Sequence, residues 1–285
     1  MSATLVFVHG RGQEAKDPAE LERKWRAGLA AGLVKGNAPA VDTAPSVFPY
    51  YGDLLYRITA ELARQGQRVD LESLPESGPG PLHPELPAEI GAVEQEMVLD
   101  MAAAVPTVDE EALDRLLSWG AARRALTLVA RHTRLDQEII KAQLRDVAVY
   151  LTRGRDQVLA EVRKVIPADG PIVLVSHSLG TVVARDLLDD AQLRRRTTLW
   201  VTAGSPLGLD AVQKNLLSKG RQNPGVEWIS CYDVNDVVAL GHPLHRTWHD
   251  PLRDVEVDNG DSPHSIERYL GHHEVAVPIG AALAR

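Results

Sequence analysis

Cysteine is almost absent from this 285-residue chain: Cys231 stands alone, which excludes an intramolecular disulfide and points to a reducing compartment. The segment around it, VEWISCY, reads as a strand, and a small core residue is the expected role of that thiol. Long apolar runs are missing as well. No stretch approaches the roughly 18 residues that a membrane-spanning helix needs. The N-terminus enters TLVFVHG without the basic residues and cleavage site of a signal peptide. Basic charge is not in surplus either. The chain sets 31 Lys and Arg against 39 Asp and Glu, a net −8, which argues against nucleic acid as a partner because that role needs a basic face. There are no internal repeats and no long low-complexity segments. A soluble cytoplasmic protein is the expected class, and the sequence leaves the oligomeric state open.

What is present is an ordinary globular balance, with 44% hydrophobic and 25% charged residues, enough for a sizeable core. Short β-branched runs bounded by turn residues read as buried strands at Thr4–Val8, Val41–Pro49, Ile172–Ser176, Thr198–Thr202, Val226–Tyr232 and Asp254–Val257. Helical patterns separate them at Ala19–Leu33, Thr181–Leu193 and Leu209–Ser218. This alternation predicts an α/β domain with a mostly parallel central sheet flanked by helices.

The middle of the chain interrupts the alternation. Residues 75–87, PESGPGPLHPELP, hold too many prolines for regular helix or central strand. Three amphipathic stripes then follow without a strand. The first is Ile90, Val93, Met97, Met101 and Ala104, and the second is Leu113, Leu116, Leu117, Ala121 and Leu128. The third is Ile140, Leu144, Val147 and Leu151. Pro106 breaks the first pattern, and Thr107 with Glu110 makes a capping box for the second. Residues 65–153 therefore read as a helical insertion, or cap, in a core made of 1–64 and 154–285. Its stripes suit internal packing, and some of them could also line an apolar cavity.

Chemistry is concentrated in PIVLVSHSLGTVVARD (Pro171–Asp186), where a strand passes through Ser-His-Ser-Leu-Gly into a helix. This is close to the G-x-S-x-G nucleophile elbow in its strand–turn–helix context. The turn is so sharp that the positions two before and two after the serine nearly touch, so both must be small. Gly180 satisfies this, and Ser176 stands where glycine is commonest. Such a turn would lift the Ser178 hydroxyl above the sheet and aim the Leu179 amide at a developing oxyanion. The same residues also suit a plain βα turn with a serine near the helix N-cap.

Other motifs are incomplete. GHPLHRTWH spaces His242, His245 and His249 closely, but there is no HExxH or cysteine cluster beside it, so no metal site is expected. HGRGQ lacks the P-loop lysine, and YDVNDVV lacks the ligand spacing of a calcium loop. His177 reads as a structural residue facing away from Ser178. Tyr50 and Asp53, at the end of VFPYYGDLL, suit either core packing or the wall of a pocket.

LVFVHGRG (Leu5–Gly12) is a second strand ending in His-Gly, and together with SHSLG it resembles the His-Gly oxyanion loop and elbow of the α/β-hydrolase superfamily. The resemblance covers about 3–60 and 155–285, and its nearest branch is that of lipases and carboxylesterases. It implies a Ser-His-Asp triad with Ser178 as nucleophile, since a serine hydroxyl needs a base and the base an orienting carboxylate. It implies an acid after a late strand, where Asp236 in Asp-Val-Val-Ala fits the family pattern and Asp233 is the alternate. It implies a histidine in the last loop, where His264 is followed by Tyr269 as family members often show, with His272 and His273 as alternates. The backbone N–H of Arg11 would join that of Leu179 in the oxyanion hole, and His9 would order the loop. The implied reaction is hydrolysis of a small-molecule ester or lipid-like substrate with an apolar acyl group, without a cofactor. Amide, thioester or phospholipid cleavage would use the same residues. An inactive hydrolase fold serving as a binding module would need a broken triad.

Overall fold

A computed structural model of the chain describes residues 3–41, 43–66, 82–83, 85–105, 125–130, 137–248 and 252–285. The strands are β1 (Thr4–Val8), β2 (Ser46–Val47), β3 (Ile172–His177), β4 (Thr197–Ala203), β5 (Trp228–Tyr232) and β6 (Arg253–Glu256). They form one six-stranded sheet in the order β2-β1-β3-β4-β5-β6, every neighbouring pair parallel. Successive side chains on a strand point to opposite faces. Here both faces are covered, which is why β1 and β3 carry continuous apolar runs at Leu5–Val8 and Ile172–Val175 rather than alternating ones. Leu5, Phe7, Val173 and Val175 enter one core with Trp25, Leu29 and Tyr269, and Cys231 is buried among them. Burial also pushes the Cys231 thiol well above its usual titration range. Val6, Val8, Ile172 and Leu174 enter the other core.

The helices that make the first core are α1 (Pro18–Lys35), α9 (Ile266–Leu270) and α10 (His273–Leu283). Asp17 starts α1 by accepting the Ala19 amide at 3.0 Å, with Pro18 at the first helical position. Over the other face lie α2 (Gly52–Gly66), α3 (Ala88–Ala103), α4 (Gln137–Val149), α5 (Arg155–Arg163), α6 (Leu179–Leu187), α7 (Ala191–Arg196) and α8 (Asp210–Asn215). Among the described residues no helix is long and apolar enough to cross a membrane.

Several boundaries differ from the sequence reading, among them the helix expected at Leu209–Ser218, which spans Asp210–Asn215, and the strand expected at Val226–Tyr232, which begins at Trp228. The second strand shrinks to two residues because Pro45 and Pro49 flank it and cannot donate to a ladder, which leaves it as a short sheet edge. The helix expected over Thr181–Leu193 is two helices, since Asp190 accepts the amides of Gln192 and Leu193 and begins a new one. The insertion does not end cleanly at 153. A π-helical turn at Tyr150–Gly154 carries α4 directly into α5, and Tyr150 donates to Asp186 of α6 at 3.0 Å.

The insertion shares its core with the sheet. Ile90, Met97, Met101, Ile140, Leu144 and Val147 are contiguous with Val6, Val8 and Leu174. The stripe at Leu113–Ala121 and the capping box at Thr107 lie outside the described residues, while Leu128 packs on this core.

One polar side chain is out of place here. Glu94 of α3 is fully buried, and neither carboxyl oxygen has a hydrogen-bond partner among the described residues. His83 is 3.7 Å away, and Glu85, Arg145 and Asp146 act on it from nearby. Burial pushes its carboxyl up to about 8. The unfolded chain releases that proton near 4.5, so between pH 4.5 and 8 the native state holds a proton that the unfolded state has lost. Stability therefore falls as pH rises through this window. Glu94→Gln is expected to raise stability at pH 8 by about 4 kcal/mol and to flatten the decline from pH 5 to 8. Urea unfolding at both pH values checks this, and identical pH slopes in the two proteins would contradict it.

Candidate active site

The sheet order reverses beside β1: the chain goes outward to β2, then returns to β3 on the other side and continues through β6. In open parallel sheets the crevice outside the carboxyl ends of the strands at such a reversal is where ligands bind. The loop His9-Gly10-Arg11 leaves β1 there, and Ser178 leaves β3 there.

Ser178 has φ 55° and ψ −132°, a conformation that non-glycine residues avoid and that costs about 1–3 kcal/mol. The surroundings enforce it. Its amide donates to Ala203 O at 3.0 Å, and its carbonyl accepts the Thr181 amide at 2.9 Å. A Cβ on Gly180 would lie 2.2 Å from Val8 O, and one on Gly10 would lie 2.6 Å from Ser178 Cβ, so only glycine allows the loop, the turn and β1 to pack this closely. Ser176 fills the position before the turn and is hydrogen-bonded there. It donates to Val201 O at 3.1 Å and accepts the Trp200 indole N–H at 3.0 Å. The Leu179 amide opens α6, where no intrahelical carbonyl can reach it.

His264 comes from the loop after β6, and its Nδ1 is 2.8 Å from Asp236 Oδ2. Tyr269 donates to the same oxygen at 2.8 Å, and the Val238 amide donates to Oδ1 at 3.0 Å. A carboxylate collecting donors in this way accepts the Nδ1–H of His264 and leaves Nε2 as the ring nitrogen available to a reacting group. Asp233, by contrast, spends both oxygens on the loop, accepting the amides of Asn235 at 2.8 Å and Asn259 at 2.6 Å. His272 bonds Asn259 Oδ1 at 3.1 Å and His273 lies beside Glu274; neither lines the cavity at Ser178.

The pair depends on Gly204 at the end of β4. Its φ is +54°, and a Cβ there would sit 2.6 Å from Asp236 Oδ2 and 2.9 Å from His264 Nδ1. Gly204→Ala is expected to break the Asp236–His264 bond. Loss of the downfield imidazole N–H proton resonance in a folded variant checks this, and an unchanged resonance would refute it.

The loop after β1 is rigidly held. Burial lowers His9 to about 4, so its ring is neutral. Nδ1 donates to Gly10 O at 2.6 Å, and Nε2 accepts the Tyr51 amide at 3.1 Å. Tyr51 also donates to His9 O and stacks on the ring. Gln13 Nε2 donates to Arg11 O at 2.9 Å, and Tyr50 Oη lies 2.6 Å from Gln13 O. Asp53 accepts the Ala15 amide at 2.7 Å, so Tyr50 and Asp53 brace this loop and neither lines the cavity.

Ser178, His264 and Arg11 line one cavity of about 320 Å³. Its walls are mixed: Leu21, Trp25 and Ile266 are apolar, while Lys16, Lys24 and Gln143 are polar. Gln143 is the insertion's contribution among the described residues, and the first and third apolar stripes lie in the core instead. Three features were not legible in the sequence. His177 does not simply turn away; its ring lies tilted against that of His264 with centroids 4.5 Å apart, and burial keeps it neutral, far below its usual range. Tyr269 touches the carboxylate, a contact hinted at only by its spacing from His264. Arg11 neither faces free solvent nor stands alone, because Asp146 holds its Nε at 2.8 Å.

The histidines of GHPLHRTWH do not converge. His242 bonds Ala239 O and Ser230, His245 pairs with Asp254, and His249 lies outside the described residues. Among the described residues no group of three or more His, Cys, Asp or Glu could hold a metal ion. No family model matches the chain, and no curated protein matches it.

Proposed function

We propose that the chain is a serine hydrolase of the α/β-hydrolase type that cleaves a carboxylic ester through an acyl-enzyme. The observation that carries this reading is that the His264–Asp236 pair and a strained, elbow-held Ser178 meet at one cavity. Ser178 Oγ attacks the ester carbonyl while His264 Nε2 takes its proton. Asp236, with its Tyr269 hydrogen bond, fixes the ring and stabilises the imidazolium. The amides of Leu179 and Arg11 receive the oxyanion. His264 then protonates the departing alcohol, and water activated by the same nitrogen releases the acid and restores Ser178.

The cavity narrows the expected substrate. Its volume and its Leu21–Trp25–Ile266 wall suit a short apolar acyl group, and Lys16, Lys24 and Gln143 suit a polar remainder. The first and third stripes do not supply a long acyl slot, because Ile90, Met97, Met101, Ile140, Leu144 and Val147 pack inside the core. A fluorophosphonate probe should label the wild type and not Ser178→Ala. An unlabelled wild type would overturn the proposal.

A further inference from the structure

We infer that Asp146, in the insertion, is a positioning residue for the oxyanion loop, so that the hole is complete only while α4 is docked. The inference rests on the reaction proposed above. Arg11 and Asp146 are 135 residues apart in sequence, yet Arg11 Nε donates to Asp146 Oδ2 at 2.8 Å. The pair is largely sheltered, with side chains 23% and 10% exposed, so water screens it less than it would a surface ion pair. Asp146 Oδ1 accepts from Arg145 Nε at 3.1 Å, which holds the carboxylate from its other side.

What this pair controls follows from the packing of the loop. Arg11 directly follows Gly10, and Gly10 touches Ser178 so closely that no Cβ fits between them. The peptide joining Gly10 to Arg11 carries the N–H assigned to the oxyanion, and small rotations of that plane move its donor relative to Ser178. The β1 side of the loop is fixed by His9 and Tyr51, and the far side by Gln13 on Arg11 O. The Arg11 side chain is the lever between these anchors. Fixing its Nε restricts the whole side chain and, through Cα, the orientation of its own amide. Asp146 thus connects α4, which packs on α3 of the insertion, to the geometry at the serine. A donor displaced by about 1 Å can lower a rate by around 100-fold.

The test compares wild type, Asp146→Asn, Arg11→Asp and the charge-swapped double variant Arg11→Asp/Asp146→Arg on a p-nitrophenyl ester of a short acid. Asp146→Asn keeps the shape and removes the charge. It should lower kcat by about 10- to 100-fold while KM moves less than about 3-fold, since the interaction matters most in the transition state. Affinity for a trifluoromethyl ketone, which forms an oxyanion on Ser178, should fall in step with kcat/KM. The double variant should exceed Arg11→Asp in kcat. A wild-type kcat in Asp146→Asn overturns the inference, as does a lowered melting temperature with kcat per folded molecule unchanged. A double variant no better than Arg11→Asp also overturns it. A wild type that neither turns over esters nor takes the probe overturns the proposed reaction itself, whereas an active wild type with an indifferent Asp146 overturns only the coupling.

Discussion

Ser178→Ala is expected to lower kcat for ester hydrolysis by roughly 10⁴- to 10⁶-fold, the largest effect of any single change in this protein. The size follows from the division of labour. In the proposed reaction no acyl-enzyme forms without the hydroxyl, and the remaining donors can only assist direct attack by water, which keeps a small residual acceleration. The fold should tolerate the change, and relief of positive-φ strain would favour Ser178→Gly still more, since Ser178 sits at φ 55°. A pre-steady-state burst of p-nitrophenol in wild type that vanishes in Ser178→Ala, with an unaltered melting curve, is the supporting result. Equal turnover in the two proteins would remove Ser178 from the chemistry.

His264→Ala comes next, with an expected loss of at least about 1,000-fold in kcat, while His273→Ala stays within about 2-fold of wild type. The contrast comes from position. His264 is on the cavity and bonded to Asp236, whereas His273 begins α10 and is exposed beside Glu274. Asp236→Asn should cost roughly 10⁴-fold, because an amide in place of the carboxylate favours the wrong imidazole tautomer. Here Tyr269 and Val238 already donate to the acid, so an asparagine would also have to satisfy two incoming donors with one oxygen. If His273→Ala lost activity and His264→Ala kept it, the base would be misassigned.

Much of this arrangement could be read from residue order. The strands β1, β3, β4 and β5 announce themselves as β-branched runs because both faces of a covered parallel sheet must be apolar. The small residues around Ser178 announce a tight turn because nothing larger fits under Val8 O. The local Asp-Val-Val-Ala pattern favoured Asp236 over Asp233 but said nothing of what either carboxylate touches. Both are buried loop carboxylates three residues apart, and they differ in what arrives from elsewhere: backbone amides at the first, His264 and Tyr269 at the second.

Elements were harder to delimit where short-range competition decides. Asp190 captures amides and divides a helix that hydrophobic periodicity shows as continuous, and two prolines trim β2. The insertion was legible as helices from their stripes, but a stripe records only that a face is buried. It does not say whether it is buried against a cavity or a sheet, and here Ile90, Met97 and Ile140 join the sheet's own core.

By itself, then, the sequence determined the α/β alternation, the strained serine turn and the small set of acids and histidines able to serve it, because each depends on local sterics or on side-chain period. Only the tertiary structure decided which acid and histidine pair, that Gly204 must lack a side chain for them to do so, and that Asp146 reaches Arg11. Those outcomes depend on contacts between residues far apart in the chain, which the close packing of loops at one end of a parallel sheet creates and no local pattern records.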